Sequence, residues 1–422
     1  MDGMVELLVI ALAVFAFAMF SQRSALSPVT APMVFTAVGL LLGTVGTDWF
    51  DLTLDGEVVT VLVEGTLVLV LFTDAARIDL SALRSAAALP ARLLGIGLPL
   101  TIVAGTVVAS VLFESLTLVE AGLIAAILAP TDAALGQAVV SDRRLPVRIR
   151  QSLNVESGLN DGIMVPVVTV LLALAAAEAD SRGVGDWGRF VVGQLGFGVG
   201  AGLLAGAVGG WLLHRRSSAD AVEPSYRQLA GLALAVGAYA GAEALGGNGF
   251  IAAFVAGLAF ARVAATERAD VQELTEDEGE LLTGLTFIIF GAALAAPRLV
   301  DLTWQVAVYA VASLTVVRML PVLVALTGSG TRWHTRLFMG WFGPRGLASI
   351  LFALLVSTEL EGSSTDTIVA VAVWTVLVSV FAHGLSASTW SGRLAARLEG
   401  GDDDMVEKHH VPELPTRRGI DR

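Results

Sequence analysis

Apolar runs close to bilayer-spanning length follow one another along almost the whole chain, and they decide the fold class before any motif is read. A transmembrane helix needs about 20 mostly apolar residues, and only helices or closed barrels satisfy every backbone hydrogen bond inside a membrane. Thirteen runs can be placed, at about 4–20, 28–46, 57–73, 90–113, 117–140, 153–177, 188–213, 228–245, 249–263, 279–296, 304–327, 337–358 and 367–391. Only 15% of the 422 residues are charged, against about 25% in a soluble domain, too few to clothe a water-soluble fold of this size. The expectation is an all-α, polytopic membrane protein with about 13 transmembrane helices, in one domain over residues 1–395. The first run has neither a basic flank before it nor an A-x-A site after it, and reads as a retained helix rather than a signal peptide.

Charge sets the orientation. With the N-terminus outside, the cytoplasmic segments hold about 21 Lys and Arg and the outer ones three, Arg182, Arg189 and Arg298. The positive-inside rule then gives N-out, C-in for a multi-pass membrane protein. The remaining two, Arg318 and Arg345, fall inside spans. The net charge of −13 comes largely from loops and from a tail, 396–422, that contains Asp402-Asp403-Asp404 and reads as a short, acidic, disordered cytoplasmic segment. No basic patch invites nucleic acid, the tail is too short for a nucleotide-binding domain, and the absence of cysteine removes thiolate and disulfide chemistry.

Charged side chains at membrane depth cost at least about 2.5–3.5 kcal/mol on insertion scales and face a cavity or a partner. The fifth span contains Pro130-Thr131-Asp132. Proline removes a backbone donor and disfavours helix at Ala129, so the span breaks there. Thr131 and Asp132 then offer oxygens at the break, either to a cation or proton or as caps of a kinked helix. The sixth span contains Asn154, Glu156, Ser157, Asn160 and Asp161. Helical spacing places Glu156 over Asn160 and Ser157 over Asp161. Two carboxylates so close do not both ionise cheaply without a counter-charge. Arg318 in the eleventh span stays protonated; Glu156 is its best partner, which leaves Asp161 as the titratable group. The twelfth span contains Gly343-Pro344-Arg345-Gly346 and is also broken. It lies seven spans after the first break, so it runs in the opposite direction. Paired interrupted helices in inverted halves point to a transporter site at the midplane, with Arg345 as a fixed positive charge at the crossing. Gly198, Gly202, Gly206 and Gly210 in the seventh span form a small-residue stripe that reads as helix packing. Glu64 and Glu243 lie within spans with nothing nearby to suggest chemistry.

Four ordered motifs, APTDAALG, VESGLNDG, VVRMLP and GPRGLAS, together with LFTDAARIDLSALR at the third span, give the chain a resemblance over nearly its whole length to about 395. It resembles the monovalent cation:proton antiporters, in the branch of the NhaP-type sodium/proton exchangers. That resemblance implies inverted repeats with two crossed discontinuous helices. It also implies core helices at about 90–177 and 304–391, dimerisation or scaffold helices at about 4–73 and 228–296, a linker helix at about 188–213, and a homodimer in the bilayer. Asp161 then corresponds to the essential cation- and proton-binding carboxylate, and Asp132, Thr131 and Ser157 stand where further oxygen ligands occur. Asn160 replaces a second aspartate of the electrogenic branch. Glu156 and Arg318 match a buried ion pair, Arg345 the crossing arginine, and Asp74 an acid near the cytoplasmic funnel, in a local pattern with fewer glycines than usual.

The mechanism expected is competition. Asp161 binds H⁺ or a cation, Na⁺ and also Li⁺, with K⁺/H⁺ exchange as the alternative, and the protein changes its facing only when that carboxylate is neutralised. With Asn160 beside it, one proton per cation makes the cycle electroneutral. No cofactor is expected. A cation channel of related fold is the alternative from another class. An intramembrane enzyme is disfavoured because none of the five histidines forms H-E-x-x-H and no Ser–His pair is apparent.

Overall fold

The computed structural model describes residues 2–24, 29–45, 56–78, 88–179, 184–219, 221–264, 279, 281–360, 362–400, 405–409 and 411, and among them helices and turns occur without a strand. In chain order the helices are α1 (Asp2–Ser24), α2 (Ala31–Val45), α3 (Gly56–Arg77), α4 (Ala88–Leu112), α5 (Leu118–Ile127), α6 (Ala133–Val140) and α7 (Val147–Ala179). They continue with α8 (Val184–Ser217), α9 (Pro224–Ala244), α10 (Gly249–Val263), α11 (Leu281–Ala295), α12 (Trp304–Ala325), α13 (Trp333–Trp341), α14 (Leu347–Glu359) and α15 (Ser363–Glu399). Five of these, α4, α7, α8, α12 and α15, are long and apolar enough to cross a membrane, and shorter apolar helices lie between them. The acids Glu278 and Glu280 before α11 and the triplet at 402–404 lie outside the described residues.

Where the sequence breaks its apolar runs, the helices break. Pro130 separates α5 from α6, and the Gly343–Gly346 stretch separates α13 from α14. α12 is interrupted once, at Thr315, three residues before Arg318. The α5 start is closed by a capping box: the Thr117 hydroxyl accepts from the Glu120 amide, and the Glu120 carboxylate from the Thr117 amide. At the 245–249 turn Gly246 has φ +74°, and Asn248 caps α10 by accepting from the Ile251 amide.

The glycine stripe on α8 packs on α10, as its spacing predicts. A Cβ at Gly198 or Gly202 would lie within 2.8 Å of the Asn248 or Ala252 carbonyl oxygen, and one at Gly206 would collide with that of Ala256. The opposite side of α8 exposes Phe197, Leu204, Val208 and Trp211, as a lipid-facing surface does.

The described part of the tail, 396–400, 405–409 and 411, departs from expectation. α15 runs without a break to Glu399, and residues 405–409 form an ordered turn with Met405, Glu407 and Val411 buried. The physical reason is local. Met405 joins an apolar cluster with Leu394, Ala395 and Leu398. The Glu407 carboxylate accepts from the Arg332 amide at 2.6 Å and from the Thr335 hydroxyl at 2.9 Å, at the open N-terminal end of α13. A polar run that reads as solvated thus supplies a helix cap from 75 residues away.

Candidate ion site

The two broken helices meet at their breaks. The Asp132 amide donates to the Pro344 carbonyl at 2.8 Å. The Asp132 carboxylate is the N-cap of α6: Oδ1 accepts from the Ala134 and Leu135 amides at 2.7 and 3.3 Å. Its Oδ2 accepts from the Leu347 amide, the first residue of α14, at 2.6 Å. One carboxylate therefore caps two half-helices on both sides of the crossing, at the positive end of each helix dipole. Of the two roles open to Asp132, capping is the one its contacts describe. Gly346 allows this approach, because a Cβ there would overlap the Asp132 carboxylate.

Arg345 binds the other exposed backbone. Its Nη1 donates to the carbonyls of Gly343, Ala129 and Pro130, at 3.0, 3.4 and 3.4 Å, while its own amide donates to the Ser379 hydroxyl at 2.7 Å. With the His383 hydrogen on Nε2, a chain continues from the Ser379 hydroxyl to His383 Nδ1 and from Nε2 to the Trp341 carbonyl. The carbonyls freed by the breaks are thus held by a buried guanidinium, which meets the demand that unwound backbone inside a membrane be satisfied. Ser379 and His383 on α15 are support residues that sequence reasoning missed; a serine in an apolar span carries no signal of its own.

Glu156 and Arg318 meet as expected. Arg318 Nη2 lies 2.5 Å from Glu156 Oε1, with both side chains almost wholly buried, in an ion-pair contact rather than an aligned hydrogen bond. Arg318 also packs on the crossing: a Cβ at Gly343 would lie 2.6 Å from its Nε and 3.0 Å from Thr131 Cγ2.

α7 turns its polar face to the α5–α6 break. The Ser157 hydroxyl donates to the Thr131 carbonyl at 2.5 Å, and the Asn160 side-chain amide donates to the Thr131 hydroxyl at 2.7 Å. Asp161 is buried, one residue beyond Asn160 and one turn beyond Ser157. Asp74, near the C-terminal end of α3, is buried and paired with Arg77 at 3.3 Å. It faces α7, since a Cβ at Gly158 would lie 3.9 Å from its own Cβ. Gly162, the residue after Asp161, is pressed against the Phe254 ring of α10. Away from this centre, the Tyr239 hydroxyl donates to Glu64 at 3.1 Å and the Glu243 carboxylate accepts from the Gly249 amide at 2.7 Å. Both acids therefore have structural partners that their sequence surroundings do not reveal.

Comparison with known proteins shows the family and the fold. The family described as sodium/hydrogen exchanger, transmembrane, matches residues 8–391. Among curated relatives, the K(+)/H(+) antiporter NhaP2 of Shewanella oneidensis is 26% identical over 374 residues, 87% of this chain and 62% of that protein. The Na(+)/H(+) antiporter ApNhaP of Aphanothece halophytica is 27% identical over 322 residues, 72% of this chain and 58% of that protein. The chain thus spans less than two thirds of the length of these relatives. The solved structure of the sodium proton antiporter MjNhaP1 from Methanocaldococcus jannaschii superposes with a TM-score of 0.74 at 19% identity, covering 95% of this chain and 100% of that one.

Proposed function

The chain belongs to the transmembrane sodium/hydrogen exchanger family, and we propose that it is a secondary antiporter exchanging Na⁺, with Li⁺ as a further substrate, for H⁺. The observation that carries this is the polar face of α7, which brings the buried Asp161 onto the helix that holds the broken span at Thr131. Glu156 is matched by Arg318 and Asp132 by three amides. Asp161 sits on the face of α7 whose Ser157 and Asn160 grip the broken helix at Thr131. A carboxylate there takes a proton or a cation, with Ser157, Thr131 and Asp132 as the neighbouring oxygens. Burial makes its empty, ionised form costly to carry past the hydrophobic barrier.

On this reading the core consists of helices within about 90–177 and 304–391. The scaffold lies at about 4–73 and 228–296, with 188–213 linking them. The protein works as a homodimer in a prokaryotic cytoplasmic membrane, N-terminus out and C-terminus in, which the excess of Lys and Arg on cytoplasmic segments supports. K⁺/H⁺ exchange is the second reading, favoured by the similarity to a relative named for that activity.

Competition has a distinctive signature. In proteoliposomes the apparent KM for the cation rises in proportion to proton concentration as pH falls, while the maximal rate at saturating cation stays level. A KM independent of pH contradicts a shared carboxylate. With Asn160 next to Asp161 the cycle moves no net charge, so membrane voltage, worth about 2.3 kcal/mol per charge per 100 mV, leaves the rate unchanged.

A further inference from the structure

One face of α15 is turned to the break between α13 and α14. Ser379, His383, Ser386 and Trp390 stand at i, i+4, i+7 and i+11, so they share that face. Each engages Trp341, the last residue of α13, or Arg345, near the start of α14. The Trp341 carbonyl accepts from the Gly343 amide at 2.8 Å and from His383 Nε2 at 2.9 Å, which uses both of its lone pairs. The Trp341 indole N–H donates to the Ser386 hydroxyl at 2.9 Å. Its ring lies against those of His383 and Trp390, with centroids 4.9 and 5.2 Å away. At the other end of the break, the Ser379 hydroxyl accepts from the Arg345 amide at 2.7 Å.

These contacts fix the hydrogens. A carbonyl has none to give, so His383 carries one on Nε2. In the neutral ring Nδ1 is bare. Of the two Ser379 oxygens near it, the hydroxyl at 3.1 Å can donate and the carbonyl at 3.0 Å cannot. Ser379 therefore accepts from the Arg345 amide and donates to His383, and one turn of α15 joins the two ends of the break. Ser379 is 0% exposed and His383 1%, so bulk solvent does not compete for these bonds. A histidine that only filled space would not need its two nitrogens committed to opposite ends of one unwound segment.

We propose that Ser379 and His383 are positioning residues for ion binding. They set the backbone of Arg345, whose guanidinium holds the Ala129 and Pro130 carbonyls, and through it the stretch that presents Thr131. Neither residue touches the ion. The inference rests on the reading of the Thr131–Asp161 region as the cation and proton site, and it makes α15 part of that site's geometry.

The test measures exchange in proteoliposomes at matched reconstitution, with Na⁺ and K⁺ in separate series. His383→Leu should raise the apparent KM for the transported cation roughly tenfold, the effect of about one lost hydrogen bond. The maximal rate per folded molecule should stay nearly level. His383→Gln keeps an N–H where Nε2 stands and should restore most of the affinity. Ser379→Ala should raise KM as well. The double variant Ser379→Ala with His383→Leu should be no worse than the worse single one, because the two act through one chain of bonds. A space-filling role gives the opposite pattern, a lower rate at unchanged KM with glutamine no better than leucine, and that pattern overturns the proposal. A second readout needs no transport. In the nitrogen NMR spectrum of protein labelled in its histidine rings, the His383 signals, identified by their loss in His383→Gln, should show hydrogen on Nε2 and a bare Nδ1. Ser379→Ala should shift the Nδ1 signal. Hydrogen on Nδ1, or an Nδ1 signal that Ser379→Ala leaves in place, contradicts the clasp whichever ion is carried. A wild type with the expected spectrum that exchanges no cation contradicts the functional reading instead, and removes the role in ion binding with it.

Discussion

The α8–α10 seam and the crossing of α5–α6 with α13–α14 both press two stretches of backbone together, and they do it by opposite means. At the seam, glycines at every fourth position remove the side chains, and two intact helices touch along their length. At the crossing the helices are opened. The freed amides and carbonyls are then held by Asp132 and Arg345, charges that would be costly here if left unmatched. The difference teaches what a broken helix gains. The seam is satisfied apart from chemistry and can only pack. The crossing leaves an oxygen-rich polar surface around Thr131, which Ser157 and Asn160, the neighbours of Asp161 on α7, engage by hydrogen bonds.

That comparison can be broken, starting where the effect is largest. Glu156→Gln strands Arg318 as a buried, uncompensated cation and should cost about 3–5 kcal/mol, read as a fall in unfolding stability in detergent. The double change Glu156→Leu with Arg318→Met should recover most of it, because no charge remains to strand. If the single and double variants are equally unstable, the ion pair is not what the crossing depends on.

Asp132→Asn comes next. It keeps one oxygen for α6 but turns an amide donor toward the Leu347 N–H, so a loss of about 1–3 kcal/mol is expected. An unchanged stability with transport abolished would instead make Asp132 primarily an ion ligand, and would separate capping from coordination.

The smallest effect belongs to the seam. Gly210→Ala brings a methyl group to 3.3 Å from the Phe260 ring of α10 and should cost about 1 kcal/mol. Whatever transport remains should keep the wild-type cation affinity and pH dependence, since no residue of the site moves. A shifted pH profile in that variant would show that the seam and the crossing are coupled.

Much of the site was legible before the structure because membrane depth makes polar residues expensive. The breaks at Pro130 and at Gly343–Gly346, the Glu156–Arg318 pair and the polar face of α7 all follow from that cost. What was not legible depends on partners distant in sequence. Asp132 announces a helix start, but its second cap belongs to Leu347, 215 residues on. Ser379 and His383 look incidental within an apolar span until the Arg345 amide and the Trp341 carbonyl are placed beside them. Glu407 lies in a polar run typical of solvated tails, and only the open end of α13 gives it a reason to be buried.

The central claim is that H⁺ and a monovalent cation compete for Asp161. The most direct test is the dissipation of an imposed pH gradient in proteoliposomes when Na⁺, Li⁺ and K⁺ are added in turn, for the wild type and for Asp161→Asn at matched reconstitution. The account predicts dissipation by Na⁺ and Li⁺ in the wild type and none by any ion in a folded Asp161→Asn protein. Full exchange in that variant, or a wild type indifferent to all three cations between about pH 5.5 and 9, a range chosen to bracket neutral pH on both sides, would contradict it.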